Sequence, residues 1–482
     1  MLKTFKFGAI ALLGIVIAGF AAYRIGLVPP ELEVPQRTDA IISGLTIINP
    51  GIGRADNQTI VVREGKIVEV RPTIAADPQS ICKGCVAIPG LIDAHVHNPP
   101  KLAIGNQELF ALMYLAHGVT TVRDTGESDD SIASLAQRLN NGHLVGPHML
   151  RCGPVLDGDP PGWGVARKVL TAAQATAAVD DIAASKPDCI KVYNEIDVPS
   201  YQAVRVAAAR HGLPVIGHIP HKVGIRNVRD FEAQHFTGLP YIKGGRPPVG
   251  SDVDDAYFLK MTDTEIDAAL DEVTARNITL LPTLANIRLR LIASDPARYP
   301  KTPASAYLPK LIESSWNSGA VAGHPKGAEI AVAAQYHERA LFVAKRAHEK
   351  GIDVLAGTDT LMPWVVPGES LLLEIDDLAT AYSDRESALA AATNLNGKHL
   401  GPGKIGLIAP GYRADILFLP SDPTNDLAVL KSWTILFADG RRYDRTTVNG
   451  WLERYRRHFR SGFYGFVMGK AQDFITGDSG HT

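Results

Sequence analysis

The feature that most constrains this chain is an alternation that runs through its middle: short β-rich stretches separated by longer stretches of helical periodicity. The β-rich runs are "AIPGLIDAHVH", "GVTTVRDTG", "PHMLRCG", "CIKVYNE", "LPVIGHIP", "DFEAQHF", "ITLLPTL" and "IDVLAGTD", eight in all. Between several of them lie amphipathic segments such as "TAAQATAAVDDIAASKP", "SYQAVRVAAARHG", "TDTEIDAALDEVTARN" and "ERALFVAKRAHEKG", many closing on Gly or Asn as a C-terminal stop. Alternation of this kind is the signature of a parallel sheet built from βαβ units. Eight units favour a closed (β/α)8 TIM barrel over an open sheet, and residues 89–400 are assigned to it. The chain has 482 residues, 45% of them apolar and 21% charged, enough to bury a large core. A net charge of −2 exerts no long-range pull on nucleic acid, which leaves small molecules as the expected partners. Oligomeric state is open, a homo-oligomer included.

Both flanks of the barrel are β-rich. "TDAIISGLTIINP" and "TIVVREGKIVEVRP" read as short strands with "EGK" as a tight hairpin turn, and "ADILFLPSD" and "WTILFADGRRYD" repeat the pattern near the other end. They predict one small β-sandwich built from residues 38–88 and 401–446. Ahead of it, Lys3 and Lys6 precede an uncharged run from Phe7 to Tyr23. That run reads as an uncleaved membrane anchor or a signal peptide within residues 1–30, and a buried core helix is the remaining alternative. Lysines on its N-terminal flank keep that end cytoplasmic and predict an exported, periplasmic or extracytoplasmic body, tethered by the N-terminal segment. Cys82 and Cys85 form a C-x-x-C that an exported protein could oxidise, whereas Cys152 and Cys189, in apolar runs, read as small buried residues. The tail, 447–482, mixes Arg454, Arg456, Arg457 and Arg460 with Trp451, Tyr455, Phe459, Phe463, Tyr464 and Phe466. It reads either as a helix packed on the barrel with its charges solvated or as a segment lying on an anionic membrane surface.

In a barrel, reactive groups collect at the C-terminal ends of the strands. His95 and His97 stand at i and i+2 on the first strand, so they share a face, and Asp93 shares it with them. His218 closes the fifth strand, His235 the sixth and Asp359 the eighth. Neutral imidazoles with a carboxylate are the ligand set of zinc or a similar divalent ion. Lys191 sits inside the apolar run "CIKVYN", where an ammonium is costly unless it neutralises or finds a partner. A neutral lysine amine can take up carbon dioxide, and the resulting carbamate is an anionic group able to bridge two metals.

These motifs together resemble the amidohydrolase superfamily, in particular its members similar to imidazolonepropionase and to zinc-dependent prolidases and carboxypeptidases. "PGLIDAHVH", "GVTTVRDTG", "DCIKVY", "VIGHIP", "FEAQHF", "AGTDT" and the closing "KIGLIAPGYRADILFLPSDP" carry the resemblance over roughly residues 38 to 445. It implies that His95, His97 and Asp359 hold one metal, that His218 and His235 hold a second, and that Lys191, N-carboxylated by carbon dioxide, bridges them. Two divalent ions, most simply zinc, would then present a bridging hydroxide to a scissile carbonyl, with Asp359 as general base and acid. The implied reaction is hydrolysis of a C–N amide bond in a dipeptide or N-acyl amino acid. An ester, lactone or phosphotriester is the alternative substrate, and a barrel that lost catalysis and serves as a binding scaffold is the alternative of another class.

Around that centre, Tyr193 lies two residues beyond Lys191 on the same face and is a candidate substrate contact, with core packing as its alternative. His221, in "HIPHKVG", is a second candidate contact. Arg151 on the third strand would pair with a substrate carboxylate, or else with Asp124 or Asp157. Asp93 fits a partner to a ligating histidine better than a ligand. His117 and His211 each precede a Gly after a helical stretch and read as C-terminal helix residues. The loop "GPVLDGDPPGWGVAR" departs from the Gly-Gly-His segment of many prolidase-like relatives and puts Trp163, Asp157 and Asp159 there instead.

Overall fold

The structure, a computed structural model, describes residues 23–79, 81–82, 84–240, 258–293, 302–317, 328–401 and 403–476. The uncharged N-terminal run up to residue 22 and residues 294–301, between the seventh and eighth β-rich runs, lie outside the described residues. Among the described residues no helix is long and apolar enough to cross a membrane.

Strands from both flanks form one seven-stranded sheet. In chain order these are β1 (Ala40–Asn49), β2 (Gly53–Arg63), β3 (Lys66–Pro72), β4 (Val86–Pro89) and, after the βα region, β14 (Ile416–Leu419), β15 (Ile435–Ala438) and β16 (Arg441–Asp444). They are ordered β16-β15-β14-β4-β1-β2-β3. Two hairpins are closed by two-residue loops with both residues at positive φ: Glu64 and Gly65 at 48° and 81°, and Asp439 and Gly440 at 53° and 70°. That is the turn whose twist matches its flanking strands. Ile42, Ile60, Ile67, Ala87, Ile416, Phe418 and Phe437 form this sheet's own core.

The remaining strands are β5 (Leu91–Val96), β6 (Val119–Asp124), β7 (His148–Arg151), β8 (Leu156–Asp157), β9 (Arg167–Lys168), β10 (Ile190–Val192), β11 (Val215–Gly217), β12 (Phe231–Gln234) and β13 (Ile278–Leu281). They pair in parallel as β5-β6-β7 and as β13-β12-β11-β10-β8-β9. The helices between them bring the expected end signals. Thr171 caps Ala172–Ala184, and Thr262 with Glu265 forms a reciprocal capping box on Asp263–Ala275. The molecule is therefore an α/β protein with a second, mixed sheet assembled from both flanks.

Three expectations from the sequence need correction. First, "AIPGLIDAHVH" is two strands: β4 belongs to the seven-stranded sheet and β5 to the parallel one, with Gly90 at the break. A Cβ at Gly90 would stand 2.3 Å from Thr120 Oγ1, so only glycine lets the chain change sheets there. Second, "IDVLAGTD" is not a regular strand. Val354 bridges Leu280 of β13 and Thr360 bridges Val96 of β5, both in parallel sense. Between these points the Asn396 amide donates to the carbonyls of Ile92 and Ala356, each at 2.8 Å, so a side chain stands in for part of the ladder. Third, Cys152 and Cys189 are joined as a disulfide linking the end of β7 to the start of β10, and Cys82 pairs with Cys85. The 37-residue separation hid the first pair, because only the parallel packing brings the two strands together.

The tail forms helices Arg445–Phe459 and Gly462–Thr476. Val448, Leu452, Tyr455 and Phe459 are buried, while Arg454 and Arg457 face solvent. Replacing Gly90 by Ala should lower the stability of the whole chain by about 1–3 kcal/mol, the usual cost of overpacking. The denaturation midpoint of G90A in urea measures it, and an unchanged midpoint would mean that the β4–β5 break tolerates a Cβ.

Candidate metal centre

The sequence delivers each candidate ligand to a strand end, and packing then closes the set. All six residues of β5 are buried, with His95 fully so. Asp93 Oδ2 accepts from Thr358 Oγ1 at 2.7 Å and Asp93 Oδ1 from the Thr358 amide at 3.0 Å, which fastens the run 353–360 to β5. The Asp359 amide in turn donates to the His95 carbonyl at 2.8 Å. Asp359 Oδ1 consequently lies 3.3 Å from His95 Nε2 and 3.4 Å from His97 Nε2, and its Oδ2 lies 3.9 Å from His235 Nε2. Lys191 is only 1% exposed and directs its Nζ inward, 3.4 Å from His95 Nε2. The His218 and His235 rings are 5.0 Å apart, and His95 and His235 are 4.7 Å apart. One ligand atom each from His95, His235 and Asp359 falls within a 4.8 Å span.

The outer nitrogens explain why the inner ones point to a common centre. His97 Nδ1 meets the Gly126 carbonyl at 3.0 Å, and because a carbonyl can only accept, that nitrogen carries the proton and Nε2 keeps a free lone pair. His218 Nδ1 meets Asn194 Oδ1 at 2.7 Å, and His235 Nδ1 meets Thr283 Oγ1 at 2.6 Å. Partners of this kind fix tautomer and ring orientation in metal-binding histidines. Asp124 steadies the His97 arm, since its carboxylate accepts from the amides of Gly126 at 3.1 Å and Asn98 at 2.9 Å. Asn286 holds Asp359 Oδ2 at 2.8 Å.

Burial sets the charges. Desolvation pushes His95 and His218 well below the ordinary imidazole range and brings His235 down to about 4, so these rings are neutral at pH 7. It also lowers Lys191 to about 8, making its neutral amine accessible. Desolvation alone would raise Asp359, yet His235, His95 and His97 outweigh it and keep the carboxyl ionised, well below its usual range. Neutral imidazoles around an ionised carboxylate are the protonation state in which a divalent cation is bound. His218 Nε2 is buried without a hydrogen-bond partner among the described residues, a costly state that a bound cation at this centre would relieve. The residues present therefore fit a divalent ion.

Backbone conformation marks the same place. His235, Thr283 and Asp359, none of them glycine, sit at φ of 61°, 52° and 61°, the first two just past the ends of β12 and β13 and the third near the end of the 353–360 run. Left-handed backbone at non-glycine residues is uncommon, costs on the order of 1–3 kcal/mol each, and gathers at functional sites.

Other candidates fall differently. The Tyr193 ring lies 3.9 Å from the His218 ring and 5.8 Å from Lys191 Nζ, beside the centre. His221 is buried one loop further out, facing the Glu195 carboxylate at 3.6 Å. Arg151 is spent elsewhere: its guanidinium binds the buried Glu127 carboxylate at 2.6 Å and the Ser185 carbonyl. It pairs with neither Asp124 nor Asp157, and with its guanidinium held by Glu127 and Ser185 it does not stand as the substrate anchor expected from the sequence. Asp157 accepts from the amides of Gly158, Gly162 and Glu195 and so shapes the loop that carries Trp163. The Trp163 ring stands 5.2 Å from His97 and forms a wall of the site. His117 and His211 each stand at a helix C-terminus. Asn194, Thr283 and Asn286 were not singled out in the sequence. Their nearest signal is position, three residues past Lys191 and two to five past β13.

Residues 86–450 match the amidohydrolase family. The chain belongs to that family. In three dimensions this amidohydrolase is similar to a bottromycin amidohydrolase, with a TM-score of 0.69 and 22% identity over 90% of this chain and 96% of the other. It is also similar to a protein assigned as a prolidase in Bifidobacterium longum, with a TM-score of 0.62 and 22% identity over 87% and 100% of the two chains. In sequence it is 34% identical over 108 residues to the N-acyl-D-aspartate deacylase of Alcaligenes xylosoxydans xylosoxydans, 22% of this chain. The match spans about a fifth, 21%, of that curated relative.

Asn194→Ala should leave the fold intact and weaken zinc affinity by roughly 10–100-fold, because the His218 ring loses its orienting acceptor. Competition of the apo-protein with a chromophoric chelator reads this, and unchanged affinity would separate His218 from the ligand set.

Proposed function

We propose that this amidohydrolase is a metal-dependent enzyme that hydrolyses a C–N amide bond in a dipeptide or N-acyl amino acid. The observation that carries this is the meeting of four imidazoles, the Lys191 amine and the Asp359 carboxylate at one centre, from β5, β10, β11, β12 and the 353–360 run. Hydrogen bonds from the 353–360 run to both β5 and β13 support reading the parallel strands as a (β/α)8 barrel, with the centre at its C-terminal mouth. The family and the amide-cleaving names of the neighbours support the bond type.

In this reading His95, His97 and Asp359 would hold one divalent ion and His218 and His235 a second, and Lys191, as its N-carboxylate, would supply a further anionic ligand. Bound zinc would supply a water acidic enough to ionise near neutral pH and would polarise the carbonyl. The chain does the rest. Asp359, ionised and held through Oδ2 by Asn286, takes the proton of the attacking water and returns it to the departing nitrogen, so amide and water become acid and amine. Tyr193 and Trp163 flank the scissile group and exclude bulk water from it. The neutral amine that burial permits at Lys191 is the form that can add carbon dioxide. An extracytoplasmic location is supported by the N-terminal uncharged run together with two disulfides.

Zinc-loaded full-length protein should carry close to two equivalents of metal and hydrolyse members of a dipeptide and N-acyl amino acid panel. Asp359→Asn should lose at least about 10²-fold in kcat, within the range for a general acid–base group, while retaining most of the metal. Elemental analysis beside the kinetics checks both points, and near-wild-type turnover by metal-replete D359N would remove Asp359 from its role.

A further inference from the structure

Among the described residues, one face of the molecule is apolar and uncovered. On helix Gly462–Thr476 the side chains of Tyr464 and Met468 are buried, but Phe463 and Phe466, on its other side, are 47% and 67% exposed. They are the exposed phenylalanines among the described residues. The Phe463 ring lies directly on Gly26, where a Cβ would stand 2.1 Å from it. Next to Gly26, Ile25 is 79% exposed, and Tyr23 is 45% exposed. The same helix donates the Tyr464 hydroxyl to the Ile104 carbonyl at 2.8 Å, which places it against the loop carrying Leu102, 73% exposed. Tyr23, Ile25 and Phe463 thus meet on one surface, with Phe466 about one turn further along the same helix and Leu102 on the loop against which that helix packs. Arg24 and Lys101 accompany it and are exposed.

We propose that this surface rests in the interfacial layer of a lipid bilayer. Isolated exposed apolar residues are ordinary, but a contiguous group with aromatic rings and flanking cations has the make-up of an interfacial contact. The choice of a bilayer over another occupant comes from continuity. The uncharged run from Phe7 onward joins the described chain at Tyr23, within this surface, so a segment suited to hydrocarbon enters beside the exposed rings. Arg24 and Lys101 would reach the phosphate level while Ile25, Leu102 and Phe466 sit among the upper acyl carbons. The loop with Leu102 begins directly after His97, so the mouth of the catalytic centre would open beside the membrane surface. This surface does not depend on the hydrolytic reading.

The test uses the full chain reconstituted in phosphatidylcholine–phosphatidylglycerol vesicles, with Phe466→Trp and, on helix Val198–Arg210, Val206→Trp as an exposed reference (61%). Brominated lipids should quench the fluorescence added by F466W at least about twofold and leave that added by V206W unchanged. Leu102→Trp is a second probe with the same expectation, and it stands in should F466W not fold. Quenching of these probes no greater than that of V206W would overturn the proposal. So would a blue shift without bromolipid quenching, which would mean that a second copy of the chain covers the face.

Discussion

The geometry of the candidate centre depends on where the run 353–360 is seated. It lies between β13 and β5 without being a regular strand, held at one end by Leu280 and Val354 and at the other by Val96 and Thr360. The buried Asp93 carboxylate grips Thr358 by side chain and amide, and Asn396 spans the gap between Ile92 and Ala356. Gly357 allows the approach, because a Cβ there would stand 2.8 Å from His95 Cβ. Without this seat, Asp359 would have no fixed position relative to His95, His97 and His235. Burial raises Asp93 to about 7, the cost of the group that makes the clamp, and its hydrogen bonds to Thr358 and His95 offset part of that.

The same desolvation tunes the ligands. A histidine or lysine taken out of water loses its proton more easily, whereas a carboxyl ringed by imidazoles keeps its charge. Burial at one place therefore leaves neutral imidazole nitrogens, an accessible lysine amine and an ionised carboxylate side by side. Deeper in the fold, Arg123 of β6 donates to the Ala94 carbonyl at 2.9 Å and to the Glu232 carboxylate of β12, tying the two groups of parallel strands through a buried ion pair. Removing one partner of such a pair strands a buried charge, which is far more damaging than exchanging both.

Much of the centre was legible beforehand because its information is local. Spacing at i and i+2 on a strand puts His95 and His97 on one face, and a lone lysine in an apolar run marks Lys191 as an unusual amine. What stayed hidden depends on contacts between distant segments. Arg151 satisfies the sequence rule for a carboxylate anchor, yet Glu127 is the nearer acid once β6 and β7 are paired. Asn194 and Thr283 are ordinary polar residues in loops and Asn286 one in the first turn of the helix Leu284–Ala293, and only the folded chain turns them toward His218, His235 and Asp359. The disulfide of Cys152 and Cys189 escaped for the same reason.

By itself, then, the sequence determined the alternation of strand and helix, the β-rich character of both flanks, and the chemical identity of the six groups that meet; that the flanking strands join in one seven-stranded sheet came from the fold. Periodicity and side-chain chemistry are properties of neighbouring residues and survive being read along a line. Tertiary structure alone decided which nitrogen of each imidazole faces inward, which charges are extinguished by burial, and where the left-handed turns at His235, Thr283 and Asp359 aim their side chains. Those are set by distances and dielectric surroundings that exist only after segments hundreds of residues apart have packed together.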